Sequence, residues 1–310
     1  MSNNSAISVK NLNKIYEINS SSHKLALNDI TLDIPKGSIF GLLGPNGAGK
    51  STFINILADL VKKTSGEVLV LGVNQEKDLK KVKSLLGVVP QELNIDPFFT
   101  PYEILEIQAG LYGVSKKNRN TDNILKMLAL TDKAHAYART LSGGMRRRLL
   151  IAKAMVHDPD ILILDEPTAG VDVELRANLW ESIHLLNQRG KTIILTTHYL
   201  HEAEELCDTI GIIDNGSLIA CDSKANIKSL SDNKKLVISL NDNSNFNISN
   251  LEKLKIRFTL NNNTLEINYK ISEVGFKDIL SALNTSGIDV LDMNIREPNL
   301  EDVFLKLTSG

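Results

Sequence analysis

The sequence has few cysteines, no long apolar run and little net charge. Its two cysteines, Cys207 and Cys221, are too few for a disulfide framework and show no metal-binding spacing. Such cysteine usage favours a reduced, cytoplasmic setting. No stretch approaches the roughly 18 apolar residues of a membrane-spanning helix, and the first residues lack the apolar segment of a signal peptide. Work at a membrane would therefore require a partner that holds the protein there.

The charge balance argues against a general nucleic-acid binder. The 310 residues have a formal net charge of −2, with 42% hydrophobic and 23% charged residues. The basic run 146–148 has no aromatic neighbours, so we interpret it as part of a helix, with a DNA-binding patch as the alternative. The length predicts about two domains, each with a buried core.

Short β-like runs alternate with helical patterns through the first two thirds of the chain. The runs 161–164 and 193–195 are continuously apolar, which is typical of strands buried on both faces of a parallel sheet. The early runs 6–9 and 30–34 alternate instead and predict an antiparallel edge region. The predicted core strands are residues 38–43, 86–89, 161–164, 192–196 and 210–213.

Two further regions differ from this core. Apolar residues recur at helical spacing between 100 and 139, which predicts an all-helical subdomain over about 92–158. Beyond residue 222 the chain becomes rich in Asn and Ser, and the alternating runs 256–260 and 265–269 predict a hairpin. A helix over about 276–283, a strand near 288–291 and a final amphipathic helix should follow. We therefore predict an α/β domain over 1–223 and a small α+β domain over 224–310.

A glycine-rich loop carries the strongest chemical signal. Gly44 to Ser51 fits the phosphate-loop pattern G-x-x-x-x-G-K-[ST], between a predicted strand and a predicted helix. Glycines let backbone N–H groups surround phosphate oxygens, and the start of a helix favours anions. Lys50 can reach the β- and γ-phosphates, and the Ser51 hydroxyl can take a Mg²⁺ position. The alternative is a tight turn that only imitates the motif.

Two later strands end in polar residues suited to phosphate chemistry. The buried strand 161–164 is followed by Asp165 and Glu166. At a strand end near the phosphate loop, Asp165 can organise Mg²⁺ and Glu166 can polarise a water that attacks the γ-phosphate. The alternative is a pair of helix-capping acids. His198 closes another buried strand and, beside these motifs, is a candidate to contact the γ-phosphate and hold the attacking water, with a purely structural histidine as the alternative.

A second anion-binding helix start follows from Ser142, Gly143 and Gly144, directly before the predicted helix 146–156. One nucleotide needs only one phosphate loop. The economical explanation is that the second helix start serves a nucleotide held by another chain.

Taken in order, these motifs resemble the nucleotide-binding subunits of ABC transporters. The resemblance implies a P-loop NTPase ABC cassette with a mixed and parallel sheet core, an antiparallel edge sheet and a helical subdomain. It also assigns Tyr16 to adenine stacking, Gln91 to the Q-loop and Asp172 to the D-loop. The implied catalytic residues are Gln91, Glu166 and His198. The implied Mg²⁺ ligands are Ser51, Gln91 and Asp165. The implied ATP-binding residues are Tyr16, Gly44, Pro45, Asn46, Gly47, Ala48, Gly49, Lys50, Ser51, Thr52, Ser142, Gly143, Gly144, Asp165 and Asp172.

One position departs from the commonest pattern, because the signature ends in Met145 where Gln is usual. This variant, the segment 141–172 and the C-terminal segment 298–304 resemble a subgroup of bacterial exporters of drugs, antibiotics and surface polysaccharides, related to nodulation and daunorubicin-type exporters. Ser142 and the glycine amides are the expected phosphate contacts, so activity should survive the change.

The resemblance implies an ATPase that uses Mg²⁺ and closes as a head-to-tail dimer around two ATP molecules. A homodimer with two working sites is expected, with an asymmetric heterodimer as the alternative. A separate membrane permease would dock on the helical subdomain and hold the protein at the inner face of the membrane, and no nucleic-acid partner is expected. The rival interpretations are a soluble ABC ATPase acting on DNA or ribosomes and a non-hydrolysing regulatory module. The second would require the loss of Glu166 or Lys50, and both are present.

Overall fold

The computed structural model describes residues 4–19, 22–170, 173–241, 249–254, 256–261, 263–287, 290–296 and 298–308. The chain divides into two compact units, Met1–Lys224 and Ala225–Gly310. Within the described ranges, no helix is both long and apolar enough to cross a membrane.

The first unit alternates strands and helices. Its strands are β1 Ser5–Asn19, β2 Ser22–Pro35, β3 Ile39–Leu43, β4 Ser65–Val70, β5 Val73–Asn74, β6 Leu86–Val89, β7 Ile161–Asp165, β8 Thr192–Thr197, β9 Thr209–Asp214 and β10 Ser217–Ser223. Its helices are α1 Lys50–Leu57, α2 Leu79–Leu85, α3 Pro101–Leu111, α4 Thr121–Met127, α5 Gly143–Met155, α6 Val173–Gln188 and α7 Leu200–Leu206, with α8 Lys224–Ser229 at the boundary between the units.

A six-stranded sheet forms the centre of the first unit, in the order β10-β9-β3-β8-β7-β6. The five strands from β9 to β6 pair in parallel, and β10 is antiparallel to β9. All residues of β3 and β8 are buried, as strands covered on both faces should be. The parallel α/β core predicted from the continuous apolar runs is therefore confirmed. It places the carboxyl ends of β3, β7 and β8 at one edge.

An antiparallel sheet with the order β2-β1-β4-β5 packs beside the core. Ile7 pairs with Val70 and with Ile34, so the alternating apolar residues of neighbouring strands share one face. That face joins Phe40, Phe53 and residues of the parallel strands in one buried cluster. The predicted antiparallel edge region is thus confirmed, and it covers the helix that follows the glycine-rich loop.

The helices α3, α4 and α5 lie between β6 and β7 in the chain, as the helical periodicity predicts. Thr100 and Glu103 form a capping box at the start of α3, and Pro101 occupies its first turn. Ser142 caps α5 by accepting a hydrogen bond from the Met145 backbone N–H at 3.3 Å. The arginine run 146–148 lies inside α5, which confirms its interpretation as helix.

The second unit contains β11 Asn233–Leu240, α9 Ser249–Lys253, β12 Arg257–Asn261, β13 Thr264–Lys270, α10 Phe276–Thr285, β14 Val290–Arg296 and α11 Leu300–Thr308. Its antiparallel sheet has the order β12-β13-β11-β14, which with the helices gives a ferredoxin-like β-α-β-β-α-β arrangement. The predicted β12–β13 hairpin is confirmed. The sequence analysis did not identify β11, although its alternating buried residues Leu236, Ile238 and Leu240 carry the usual strand signal.

Candidate active site

The glycine-rich loop between β3 and α1 has a backbone that only glycine accommodates at its two ends. A Cβ on Gly44 would lie 2.2 Å from the Ile213 backbone oxygen, and one on Gly49 would lie 2.6 Å from the Ala26 backbone oxygen. Gly49 also has a φ of 112° and caps α1 without a side-chain hydrogen bond. The first amides of α1 therefore have no side-chain acceptor at the cap, and an anion can take that place.

Lys50, at the first position of α1, lies over this loop and is buried. Its Nζ donates hydrogen bonds to the backbone oxygens of Gly44 at 2.7 Å and Pro45 at 3.1 Å. Burial lowers the pKa of Lys50, while the nearby carboxylates of Glu166 and Asp165 oppose this shift. The ammonium is thus positioned between the loop and two carboxylates.

Asp165 and Glu166 follow one another at the end of β7 but occupy different environments. The Asp165 carboxylate accepts a hydrogen bond from Thr196 Oγ1 at 2.5 Å. The backbone N–H of Glu166 donates to the same Oγ1 at 3.0 Å. Glu166 has a φ of 45°, in the left-handed region, so the chain turns sharply there. This turn directs the two carboxylates to different places.

Two side chains from other strand ends converge on the Glu166 carboxylate. Gln91 Nε2 donates to Glu166 Oε2 at 3.1 Å. His198 Nδ1 lies 3.2 Å from Glu166 Oε1. Gln91 follows β6 and His198 follows β8, so the parallel sheet brings together groups that lie far apart in the sequence. The carboxylate is therefore held at both oxygens.

A cavity of about 540 Å³ lies over the loop, a volume suited to a small-molecule ligand. Its described lining is Tyr16, Lys24, Ala26, Asn46, Gly47, Gly49, Lys50, Ser51, Thr52, Gln91, Glu166, Ala169 and His198. The cavity thus collects the candidate aromatic, loop and catalytic residues from five parts of the chain. Tyr16 forms part of its wall, with Lys14 Nζ 4.6 Å from the Tyr16 ring centre.

Several candidate residues are not part of this lining. Gly44 and Pro45 lie below it, where they accept the hydrogen bonds of Lys50, and Ala48 is buried. Asp165 is held by Thr196. Among the described lining residues, none comes from 142–144 at the start of α5. Ser142 and Gly143 are exposed there. Asp172 lies outside the described residues.

The oxygen donors near the cavity fit a hard divalent cation. Ser51 provides a hydroxyl, Asp165 a carboxylate and Gln91 an amide oxygen, and Mg²⁺ prefers such ligands together with phosphate oxygens. No group of three His, Cys, Asp or Glu side chains suited to a metal occurs in the described part of the chain. Phosphate oxygens and water could supply the remaining ligands of such a cation.

Arg147, which was not among the predicted site residues, connects α5 to the backbone beside Gln91 and at Glu166. This residue is 2% exposed. Its Nη1 donates to the Pro90 backbone oxygen at 2.8 Å, and its Nη2 donates to the Glu166 backbone oxygen at 3.1 Å. Burial lowers the pKa of Arg147, and Asp165 and Glu202 oppose the shift. One sequence feature could have identified Arg147: it lies three and four residues before the apolar positions 150 and 151, on the same face of the predicted helix.

Comparisons with known proteins agree with this geometry. The profile of the family described as ABC transporter matches residues 27–169. The linearmycin resistance ATP-binding protein LnrL of Bacillus subtilis is 36% identical over 97% of this chain and 98% of its own length. A Nod factor export ATP-binding protein I of Cupriavidus pinatubonensis is 38% identical over 92% of this chain and 86% of its own length.

Solved structures give the same result for the fold. The dimeric ATP-binding cassette MJ0796, in a post-hydrolysis state bound to ADP and Pi, is 28% identical with a TM-score of 0.63 and covers 70% of this chain and 98% of its own. The cbiO1 protein of Clostridium perfringens, part of the transporter complex cbiONQ, is 26% identical with a TM-score of 0.65 over 73% of this chain and 91% of its own.

Proposed function

The chain belongs to the family of ABC transporter ATP-binding subunits, and we propose that it hydrolyses ATP to drive a separate membrane permease of an exporter. Its relatives include ATP-binding proteins of linearmycin resistance and Nod factor export, which favours export. The observation that carries the proposal is the arrangement around Glu166. Its carboxylate is held by Gln91 and His198 in a cavity that is also lined by Lys50 and Ser51.

We propose that the loop from Gly44 to Thr52 binds the triphosphate of ATP through its backbone N–H groups. Lys50 leaves its loop carbonyls to contact the β- and γ-phosphates as a point charge. Tyr16, which also lines the cavity, stacks against the adenine ring. These contacts position the γ-phosphate near Glu166, and positioning is the main contribution that a protein makes to phosphoryl transfer.

Glu166 is the proposed general base. It accepts a proton from the water that attacks the γ-phosphate, while Gln91 and His198 fix the direction of its two oxygens. Ser51, Gln91 and Asp165 would hold Mg²⁺, which neutralises charge on the β- and γ-phosphate oxygens when it is bound. Thr196 orients Asp165 for this role by its hydrogen bond.

A second copy of the chain is the proposed partner in ATP binding. Ser142, Gly143 and Gly144 form a helix start whose first two residues are exposed, and none of the three lines the Lys50 cavity. They would contact the triphosphate held by the other copy, with Asp172 contributing from the same interface. A related cassette of known structure is a dimer with ADP and Pi bound, which supports this arrangement. Dimer closure would then depend on ATP and reopening on its hydrolysis.

The permease is proposed to dock on the helical subdomain, about residues 92–158, and on the Gln91 loop. This docking would hold the protein on the cytoplasmic face of the membrane. Residues 1–223 would then work as the ATP-binding cassette. Residues 224–310 would form an accessory domain that stabilises the dimer or regulates it.

The test is reconstitution with a candidate permease, chosen from any polytopic membrane protein found encoded beside this gene. We expect the two proteins to copurify in detergent, and we expect the permease to raise the ATPase rate of the chain in lipid vesicles. The Lys50→Ala variant should copurify equally well but show no stimulated hydrolysis. Stimulation by ribosomes or DNA, together with no binding to the permease, would instead support an ATPase that acts on nucleic acid.

A further inference from the structure

The second unit contains a basic cavity that the ATPase chemistry does not use. It has a volume of about 670 Å³ and lies at one end of the four-stranded sheet. Five of its lining side chains are basic and two are acidic, although the whole chain has a net charge of −2. Its charged lining residues are Lys234, Lys235, Arg257, Lys270, Glu273, Arg296 and Asp302. We propose that this basic cavity binds a small molecule that carries at least two phosphate groups.

The register of the sheet arranges the cations in a row. Arg257 on β12 pairs with Asn268 on β13, which pairs with Lys235 on β11, which pairs with Arg296 on β14. Directly paired residues of antiparallel strands project on the same face, so these side chains cross the whole sheet in one line. This face is opposite the one where Leu236 and Ile267 join the core of the unit.

Internal ion pairs neutralise only part of the row. Lys235 contacts Glu266 at 2.8 Å, and Lys270 contacts Glu273 at 2.6 Å. For Arg257 and Arg296, no carboxylate lies within ion-pair distance among the described residues. Lys235 and Arg296 also stand directly opposite each other, and like charges in that position destabilise a sheet. Glu266 offsets part of this repulsion, and an anion beside Arg296 would reduce it further.

The acid at the other wall of the cavity already has a partner. Asp302 accepts a hydrogen bond from the Asn299 backbone N–H at 3.2 Å, and its own backbone N–H donates to Asn299 Oδ1 at 2.9 Å. These two bonds form the start of α11. The segment 298–304, prominent in the sequence, therefore builds a wall of the basic cavity. The carboxylate of Asp302 is bound within that wall.

The chemistry of the lining selects an acceptor-rich ligand. Arginine and lysine carry only donors, and guanidinium groups bind phosphate oxygens in pairs. Arg257 and Arg296 lie three strand spacings apart, about 14 Å, so a ligand that contacts both needs two separated anionic groups. Tyr269 is 5% exposed and does not offer its ring for stacking. The phosphates, rather than a base, would then provide the affinity.

Isothermal titration of the full chain tests this proposal, in a Lys50→Ala background that weakens phosphate binding at the nucleotide site of the first unit. The probe is fructose 1,6-bisphosphate, and inorganic phosphate is the comparison. We expect the bisphosphate to bind at least tenfold more tightly than phosphate, because its two groups act together. Arg257→Gln and Arg296→Gln should each weaken its binding about tenfold. The matched control is Lys277→Gln, which removes an exposed charge on α10 outside the cavity.

A second arm distinguishes a free phosphate ester from a lipid headgroup. The same variants are sedimented with vesicles that contain cardiolipin, whose headgroup carries two phosphates, and with phosphatidylcholine vesicles. If the chain binds the anionic vesicles only when both arginines are present, and does not bind the bisphosphate, the lipid headgroup is the source of the phosphate. Absence of binding in both arms, or binding unchanged in both arginine variants, overturns the proposal. Neither arm measures ATP turnover, so a negative result leaves the proposed ATPase role untouched.

Discussion

Arg147 Nη2 donates a hydrogen bond of 3.1 Å to the backbone oxygen of Glu166, the proposed general base. Its Nη1 binds the backbone oxygen of Pro90, directly before Gln91. Arg147 lies on α5, which begins at the Ser142 cap. One buried guanidinium therefore links the helix that would contact the partner's nucleotide to the backbone at Glu166 and directly before Gln91 in its own subunit.

We expect Arg147→Lys to lower kcat for ATP hydrolysis by about tenfold or more while KM for ATP changes little. Lysine keeps the charge but cannot bridge two carbonyls in the manner of a planar guanidinium. The direction of the Glu166 carboxylate should then become less well defined, which affects the transition state more than ATP binding. Steady-state ATPase kinetics below the unfolding temperature measure both constants.

Arg148→Lys is the matched control for this prediction. Arg148 also donates to two backbone oxygens, those of Leu128 and Ala129, but these lie in the helical subdomain. Both variants should lose stability, since each leaves carbonyls without a partner. Only Arg147→Lys should lose kcat. An equal loss of kcat in both would assign Arg147 a merely structural role.

Glu166→Gln should trap an ATP-bound dimer. The amide keeps the size of the side chain but cannot accept a proton, and loss of a general base costs about 10² to 10⁴ in rate. Size-exclusion chromatography with light scattering, in the presence of MgATP, should give twice the 34.2 kDa mass of one chain. The control Glu205→Gln changes an exposed acid on α7, and its mass in the presence of MgATP should equal that of the wild type. Only monomer from Glu166→Gln would contradict the prediction.

The local parts of the site were predictable from the sequence, and the contacts between them were not. The loop before Lys50 and the strand before Asp165 are contiguous patterns, because a phosphate loop and a buried strand are each encoded within about ten residues. The partners of Arg147 lie 57 and 19 residues away in the sequence. Both are backbone oxygens, which every residue has, so no residue type identifies them. The parallel sheet order alone brings them together.

The left-handed turn at Glu166 shows a related limit. Glutamate has no intrinsic preference for a φ of 45°, so its sequence neighbours do not reveal the turn. The turn is held by tertiary hydrogen bonds from its N–H to Thr196 and from Arg147 to its backbone oxygen. Similarly, the row of cations on the second sheet depends on β11, which the sequence analysis did not identify.

Cys221 should react slowly with iodoacetamide in the folded protein. Burial, with Asp222 and Asp33 nearby, raises the pKa of its thiol to about 11, from an ordinary value near 9. At pH 8 the folded state should therefore hold about a hundredfold less thiolate than the unfolded chain. Mass spectrometry of the Cys221 peptide at pH 8, with and without denaturant, measures the two rates. A native rate that does not rise between pH 8 and pH 10 would contradict this prediction.

The same shift gives a pH dependence of stability. Between pH 9 and about 11 the folded state keeps the Cys221 proton that the unfolded chain loses. The unfolded state then binds fewer protons, so the free energy of unfolding falls as the pH rises through this window. Below pH 9 the Cys221 thiol is protonated in both states, and its contribution to the free energy of unfolding is fully present. Urea unfolding at several pH values should show a smaller decrease in the free energy of unfolding for Cys221→Ser than for the wild type, because the serine hydroxyl does not titrate in this range.

Mixing two inactive variants tests whether the ATP site is shared between two copies. Lys50→Ala removes the phosphate charge and Ser142→Ala removes the proposed contact from the partner, so each homodimer should have little ATPase activity. In a mixed dimer, both lesions fall in one shared site and the other site is intact. We therefore expect the mixture to recover a substantial part of the wild-type rate, in proportion to the fraction of mixed dimers.

The control mixes Lys50→Ala with the double variant Lys50→Ala/Ser142→Ala, in which neither shared site keeps Lys50. If mixed dimers form, as shown by copurification through different affinity tags on the two variants, and activity is still not recovered, Lys50 and Ser142 serve the same nucleotide within one chain.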